Sequence, residues 1–422
     1  MNGYGAIILA AVVGEFVLEV VADVLNLRAL DPEPPPEFRD VFDRERYRRA
    51  QEYTRVRTRF GIVVASVNLA LLLGFWFLHG FAALDRWLRA FGLGPLATGL
   101  AFFAVLGVGR ALVAIPFRWW STFVIEERFG FNRTTARTFW LDLAKGTLLA
   151  VALGGPLAAA ILWFFEATGN HAWLWCWLAA TVFTVGAQFV FPRWIMPLFN
   201  EFRPLADGGL REAILSYARG VGFPLDGVFV IDGSRRSSKG NALFTGFGRH
   251  KRIALFDTLL GTLDGDEVVA VVAHEVGHYK RHHVVTGLAL GVVQMGVVFF
   301  LLSVFLTDRR LFDAFYMDAP SVYAGLVFFG LLFSPIEAVL SVALHALSRR
   351  HEVEADRFAV ETIGSGERLA SALVRLSADA LANLTPHWLY VVLHYSHPPV
   401  VTRIRALRGA GRGVPQPIGV IR

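Results

Sequence analysis

Cysteine is almost absent from this 422-residue chain. The single example, Cys176, lies in an apolar run, which excludes a disulfide framework and a cysteine-ligated metal site. Charge is scarce too. Asp, Glu, Lys and Arg make up 18% of the residues against 55% hydrophobic, and mean hydropathy is +0.48. That balance excludes a string of ordinary soluble domains and fits a polytopic membrane protein lying in a lipid bilayer. No basic residue precedes Arg28, so the N-terminus lacks the basic region of a cleaved signal peptide, and the first apolar run reads as a retained anchor. The formal charge of +6 and the pI near 9.7 are high enough for a nucleic-acid binder. In a membrane protein the same excess reflects arginine-rich loops on one side, and no nucleic acid partner is expected. There is no internal repeat and no low-complexity segment.

Seven apolar runs have about the length needed to cross a bilayer: Gly5–Leu25, Gly61–Phe81, Phe91–Gly109, Gly146–Phe165, Ala172–Phe191, Val284–Leu306 and Ala319–Leu344. The expected fold is therefore an all-α polytopic membrane protein. Nine arginines fall between Arg28 and Arg59, and the connection from Arg110 to Lys145 is also basic. With seven spans, all but four of the 41 basic residues share one side, the exceptions being Arg86, Arg89, Arg309 and Arg310. The positive-inside rule makes that side cytoplasmic and puts the N-terminus outside. The segments then divide as residues 1–199 (five spans with their loops), 200–283 (a cytoplasmic catalytic region), 284–345 (two spans) and 346–422 (a second cytoplasmic region). The stretch Leu205–Asp264 looks soluble, with a helix pattern at Leu210–Arg219 and strands at Val228–Ile231 and Arg252–Phe256. In the first span Glu15, Glu19 and Asp23 repeat every four residues and share one helix face. Charge facing lipid would cost a few kcal/mol, so that face should line protein or water. Asn68, Gln188, Gln294 and Glu337 are also intramembrane and favour a water-filled interior.

The stretch His274-Glu275-Val276-Gly277-His278 carries the chemistry. On a helix, His274 and His278 project from one face and can share one tetrahedral Zn²⁺, expected at one per chain. Glu275 is placed to act on a water at that ion as general base. Asp264 and Glu267 are spaced as an N-cap and its capping-box partner, and Gly277 inside the helix points to close packing against that face. A third ligand six residues after His278 is excluded because position 284 is Val. The segment Arg349–Ala359 offers Glu352 and Asp356 one turn apart; one can bind the ion while the other orients a ligand histidine. His345 and Arg349 share that face, and Glu354 reads as solvated.

Taken together, these segments resemble the CAAX prenyl protease 1 family of integral-membrane zinc metalloendopeptidases. The likeness rests on the proline-rich entry Asp31–Pro36, Phe191-Pro192 through Asn200, Lys251–Leu260, the H-E-x-G-H helix, the Arg-x-x-Glu-x-x-Ala-Asp helix, and His394-Tyr395-Ser396-His397-Pro398-Pro399 with Arg403. It implies seven transmembrane helices enclosing a chamber, with a zinc-protease domain at the cytoplasmic end. It implies that His274, His278 and Glu352 bind zinc with Asp356 behind them, that Glu275 is the base, and that His397 and Arg403 help hold the tetrahedral intermediate. It implies that Asn241 and Phe244 lie in an edge strand that pairs with substrate backbone. Lys239-Gly240 replaces the family's His-Ser there, and Leu243 replaces an aromatic residue. The implied substrate is a peptide or protein cut beside a C-terminal prenyl-cysteine.

Two other functions are compatible with parts of this pattern. A membrane quality-control protease of the heat-shock type shares the zinc motifs but has fewer spans. A transporter or lipid-binding chamber with a vestigial site would be expected to lack a catalytic residue, and Glu275, Glu352 and His397 are all present. The excess of arginine over lysine, and the absence of a dilysine-type or K-D-E-L ending, lean towards a bacterial plasma membrane.

Overall fold

The computed structural model describes residues 2–247 and 250–409, with the side chains of 243–250 outside that description. Among the described residues, seven helices are long and apolar enough to span a membrane: Gly3–Arg28, Arg44–Phe77, Pro95–Glu126, Ala136–Ala167, Gly169–Phe199, His283–Phe305 and Val322–Ile363. In hydrocarbon every backbone N–H and C=O must be satisfied internally, and these apolar sequences meet that demand as helices. The ends depart from the apolar runs. The second helix begins at Arg44, well before the first apolar residues of its run, because Asp43 caps it by accepting from the Arg46 N–H at 2.7 Å. It stops at Phe77, where His79 takes a left-handed φ of 60° and a new helix, Gly80–Arg89, begins. The fourth and fifth spans contain π-helical turns at Ala150–Gly154 and Phe191–Ile195.

Only 6–22% of the most apolar stretch of each span is buried, far less than the inner face of a packed bundle would hide. Most of each apolar stretch is thus open to its surroundings, as expected of helices that face lipid. The acidic face of the first span is turned towards protein: Glu19 lies 3.1 Å from His394, and Glu15 is within electrostatic reach of Glu337 on the seventh span. At one end of the spans Trp76, Phe81, Phe312, Phe315 and Phe328 pack into a buried aromatic cluster. Within it Asp85 accepts from the Tyr323 hydroxyl and pairs with Arg89.

The other end carries the small β element. Strands β1 (Phe202–Pro204), β2 (Leu225–Ile231), β3 (Ala242–Phe247) and β4 (His250–Phe256) lie in the order β1-β2-β4-β3. Strand β4 runs parallel to β2 and antiparallel to β3, which leaves β3 at the edge. Behind the sheet, Ile253 and Leu255 of β4 pack with Val268, Val272 and Val276 of the helix Gly265–Lys280. That shared core ties the H-E-x-x-H helix to the edge strand.

Candidate metal centre

The helix Gly265–Lys280 starts with the capping box expected from its sequence. Asp264 accepts from the Glu267 N–H at 2.9 Å, and Glu267 accepts from the Asp264 N–H at 3.0 Å. Ser371 donates to the second oxygen of Glu267 at 2.6 Å, fixing the helix start to the helix Glu367–Asp379. Its other face meets the seventh span. A methyl built on Gly277 would lie 3.0 Å from Ala355 Cα, so only glycine lets the two backbones approach this closely.

That approach brings together His274, His278 and Glu352. The two Nε2 atoms are 3.2 Å apart; His274 Nε2 is 3.4 Å from Glu352 Oε2, and His278 Nε2 is 3.2 Å from Glu352 Oε1. A tetrahedral ion with ligands at about 2.0–2.1 Å has donor-to-donor edges of about 3.3 Å, so the three residues fit a metal ion. The electrostatics agree. Burial works against charge on His274, yet its hydrogen bonds to Asp356 and Glu352 hold its pKa up at about 9. Glu352 is itself buried and meets both imidazoles and the Arg403 guanidinium. Two buried carboxylates, Glu352 and Asp356, thus lie against the imidazoles.

The two acids of the seventh span have separate places. Glu352 faces both Nε2 atoms, whereas Asp356 Oδ1 lies 2.8 Å from His274 Nδ1, on the far side of that ring. Arg403, on the helix Val400–Gly409, donates to both oxygens of Asp356 at 2.9 and 2.7 Å, and its Nη1 is 3.2 Å from Glu352 Oε2. This buried guanidinium offsets two buried carboxylates. Burial raises the Glu275 carboxyl above its ordinary range; the Glu352 charge adds to that, while His274, His278 and Arg403 oppose it.

His397 reaches the same cluster, its Nε2 3.2 Å from Glu352 Oε1, but its side chain is 60% exposed, so it stands on the open side. Ser396 Oγ lies 2.8 Å from its Nδ1. The loop is held by Arg349, which donates to the carbonyls of Val391 and Tyr395 at 3.2 and 2.7 Å. The sequence places Arg349 on the site's helix face; its grip on backbone 42 and 46 residues away has no local signal.

Asn241 is exposed at the start of β3. Its Oδ1 accepts from the Ala242 N–H at 2.8 Å, and its carbonyl accepts from Phe256 N–H at 3.0 Å. Phe244 pairs through its backbone with Ile253; its side chain lies outside the described residues. Lys239, just before the strand, donates to Tyr53 Oη at 2.7 Å and to Glu126 Oε2 at 3.2 Å, with its ammonium over the Phe131 ring. It fastens the start of β3 to the ends of the second and third spans.

A His-His-Glu triad with a neighbouring carboxylate, carried on helices that run on into long apolar spans, defines a membrane metallopeptidase. Two family models divide the chain between them: residues 23–201 match the CAAX prenyl protease N-terminal model of five membrane helices, and 204–410 match peptidase family M48. A CAAX prenyl protease 1 homolog of Arabidopsis thaliana is 35% identical, covering 93% of this chain and 95% of its own. CAAX prenyl protease 1 of Saccharomyces cerevisiae is 33% identical, covering 88% of each chain, and the Homo sapiens homolog is 32% identical, covering 89% and 88%. The crystal structure of S. mikatae Ste24p superposes with a TM-score of 0.91 at 31% identity, covering 96% of this chain and 99% of that one. The chain belongs to the CAAX prenyl protease 1 group of peptidase family M48.

Proposed function

We propose that this is a zinc endopeptidase, with one Zn²⁺ per chain on His274, His278 and Glu352, and that its preferred substrates are peptides or proteins with a C-terminal prenyl-cysteine. The observation that carries the reading is the position of the triad: the sixth span begins at His283, and the seventh runs on without a break to Glu352. A peptide at the ion thus lies beside apolar helices that can receive a lipid chain. Each buried CH₂ contributes about 0.8 kcal/mol, enough for a prenyl group to dominate ground-state binding. The names of the relatives support cleavage next to the lipidated cysteine.

When bound, zinc supplies Lewis acidity that polarises the scissile carbonyl and acidifies water. Glu275 takes the proton of the attacking water and hands it to the leaving amine, and its burial suits a carboxyl that must both accept and return a proton. His397 donates to the developing oxyanion from the open side. Arg403 keeps Glu352 and Asp356 ionised and in place, and adds positive charge near that oxyanion. Asn241 and Phe244 lie on the edge strand, where an extended substrate adds as a further strand and backbone pairing sets its register. The arginine-rich connections support a cytoplasmic metal site and an outside N-terminus. The arginine-over-lysine bias supports a bacterial plasma membrane as the host, although the relatives named above are eukaryotic.

The test compares matched farnesylated and bare CAAX peptides with purified full-length protein and with Glu275→Gln. The farnesylated peptide should be cut faster, some bare extended peptides more slowly, and neither by Glu275→Gln. If zinc-replete wild type cuts neither peptide, the substrate reading is wrong.

A further inference from the structure

Asp356 accounts for the outer nitrogen of His274, and the outer nitrogen of His278 has a different partner. His283 Nδ1 lies 3.1 Å from His278 Nδ1, and His283 Nε2 lies 3.2 Å from Glu354 Oε2. His283 is the first residue of the sixth span and is 7% exposed. It stacks on His351, with ring centroids 3.9 Å apart and planes within 7°. The preceding His282 has φ of 60°, a left-handed conformation uncommon outside glycine, and this turn brings His283 back against the helix just left. Glu354 is steadied from its outer side by Arg350 at 3.1 Å.

From this geometry we infer that His283 and Glu354 form a positioning relay that fixes the ring of His278 for metal binding. The inference rests on the reading that His278 is a ligand through Nε2. An imidazole that binds metal through Nε2 carries its proton on Nδ1. His278 Nδ1–H then has an acceptor only if His283 Nδ1 is unprotonated, which puts the His283 proton on Nε2, where Glu354 Oε2 receives it. Every tautomer in the chain is thereby set, and the order His278, His283, Glu354 runs outward from the ion. The two ligand histidines are thus held differently. His274 leans on a buried carboxylate paired with Arg403, whereas His278 leans on a neutral ring whose carboxylate partner is partly exposed. Glu352 and Glu354 lie two residues apart on one helix, so a single element supplies both a ligand and the anchor of another ligand.

The test measures Zn²⁺ affinity by competition with a chromophoric chelator, and the visible spectrum of the Co²⁺-substituted protein, on full-length purified variants. His283→Phe keeps a ring to stack on His351 but offers no acceptor; it should weaken zinc binding about 10- to 100-fold and alter the cobalt spectrum. His283→Gln can accept from His278 and donate to Glu354 and should restore most of the affinity. Glu354→Ala removes only a partly exposed side chain, so it tests the relay even if His283→Phe does not fold; it should weaken binding about threefold or more. Wild-type affinity and spectrum in His283→Phe or Glu354→Ala would overturn the relay, as would equal weakening by Phe and Gln. Failure of the wild type itself to bind one zinc per chain would instead overturn the ligand assignment on which the relay rests.

Discussion

Replacing Gly277 by alanine sets two well-understood effects against each other. By helix propensity alone, alanine at a mid-helix position should stabilise the protein by about 1 kcal/mol. The structure reverses the sign. The new methyl would lie 3.0 Å from Ala355 Cα, 3.1 Å from its carbonyl oxygen and 3.2 Å from Phe358 Cβ, whereas carbon contacts rest at about 3.5–4.0 Å. These are backbone atoms and a Cβ, with no rotamer by which to withdraw, so the two helices must part by roughly 0.5–1 Å. Overpacking of this kind costs about 1–3 kcal/mol, which offsets or exceeds the propensity gain. Glu352 is one turn from Ala355, so the parting stretches the 3.2 and 3.4 Å edges of the triad, where metal sites tolerate only about 0.2 Å. Gly277→Ala should therefore lose zinc affinity about tenfold or more and unfold at or below the wild-type midpoint. Metal content after dialysis against a weak chelator and a thermal scan in the same detergent decide the matter. A variant that melts higher and keeps its zinc would refute the close-approach argument.

Arg403→Met leaves two buried carboxylates without their cation and should destabilise the protein by about 3–5 kcal/mol, with Arg403→Lys recovering part of it; denaturant titration reads both. His397→Ala should retain full zinc content while kcat falls about 10²–10³-fold, and loss of zinc alongside activity would make it a ligand or structural residue instead. With the buried Cys176 replaced, cysteines at Ser238 and Ser377 should react in intact cells only with membrane-permeant thiol reagents, and one at Gly169 with impermeant ones. The reverse pattern would overturn the orientation drawn from the arginine distribution.

Local signals in the sequence were legible where the physics is local. The Asp264/Glu267 box, the i, i+4 histidines, the strands Val228–Ile231 and Arg252–Phe256, and the close packing at Gly277 all depend on neighbours a few residues away or on one exposed gap in a helix face. Span number was legible because the bilayer fixes a length; helix ends were not, because hydropathy marks the lipid boundary and not where backbone hydrogen bonding stops, as Arg44 illustrates. Spacing alone left open which of Glu352 and Asp356 faces the histidines, since both lie on one face and only the docking of two helices separates them; the family resemblance pointed to Glu352. Glu354 read as solvated, yet its carboxylate meets His283 across 71 residues. The Arg403–Asp356 pair joins residues 47 apart. Tertiary partners of this kind leave no periodicity to detect.

The seventh helix is 42 residues without interruption, from the aromatic cluster around Phe328 to beyond Glu352. At 1.5 Å per residue, Glu352 lies about 45 Å from the helix start, so a tilt of one degree about that start displaces its carboxylate by about 0.8 Å. A metal site that tolerates about 0.2 Å thus sets an angular tolerance of roughly a quarter of a degree on a membrane-spanning element. Helix tilt also answers to the thickness of the surrounding lipid. A change in the tilt of this helix would therefore reach the proposed metal site unless the Arg403 pairs and the Gly277–Ala355 contact carry the other residues of the site along with Glu352.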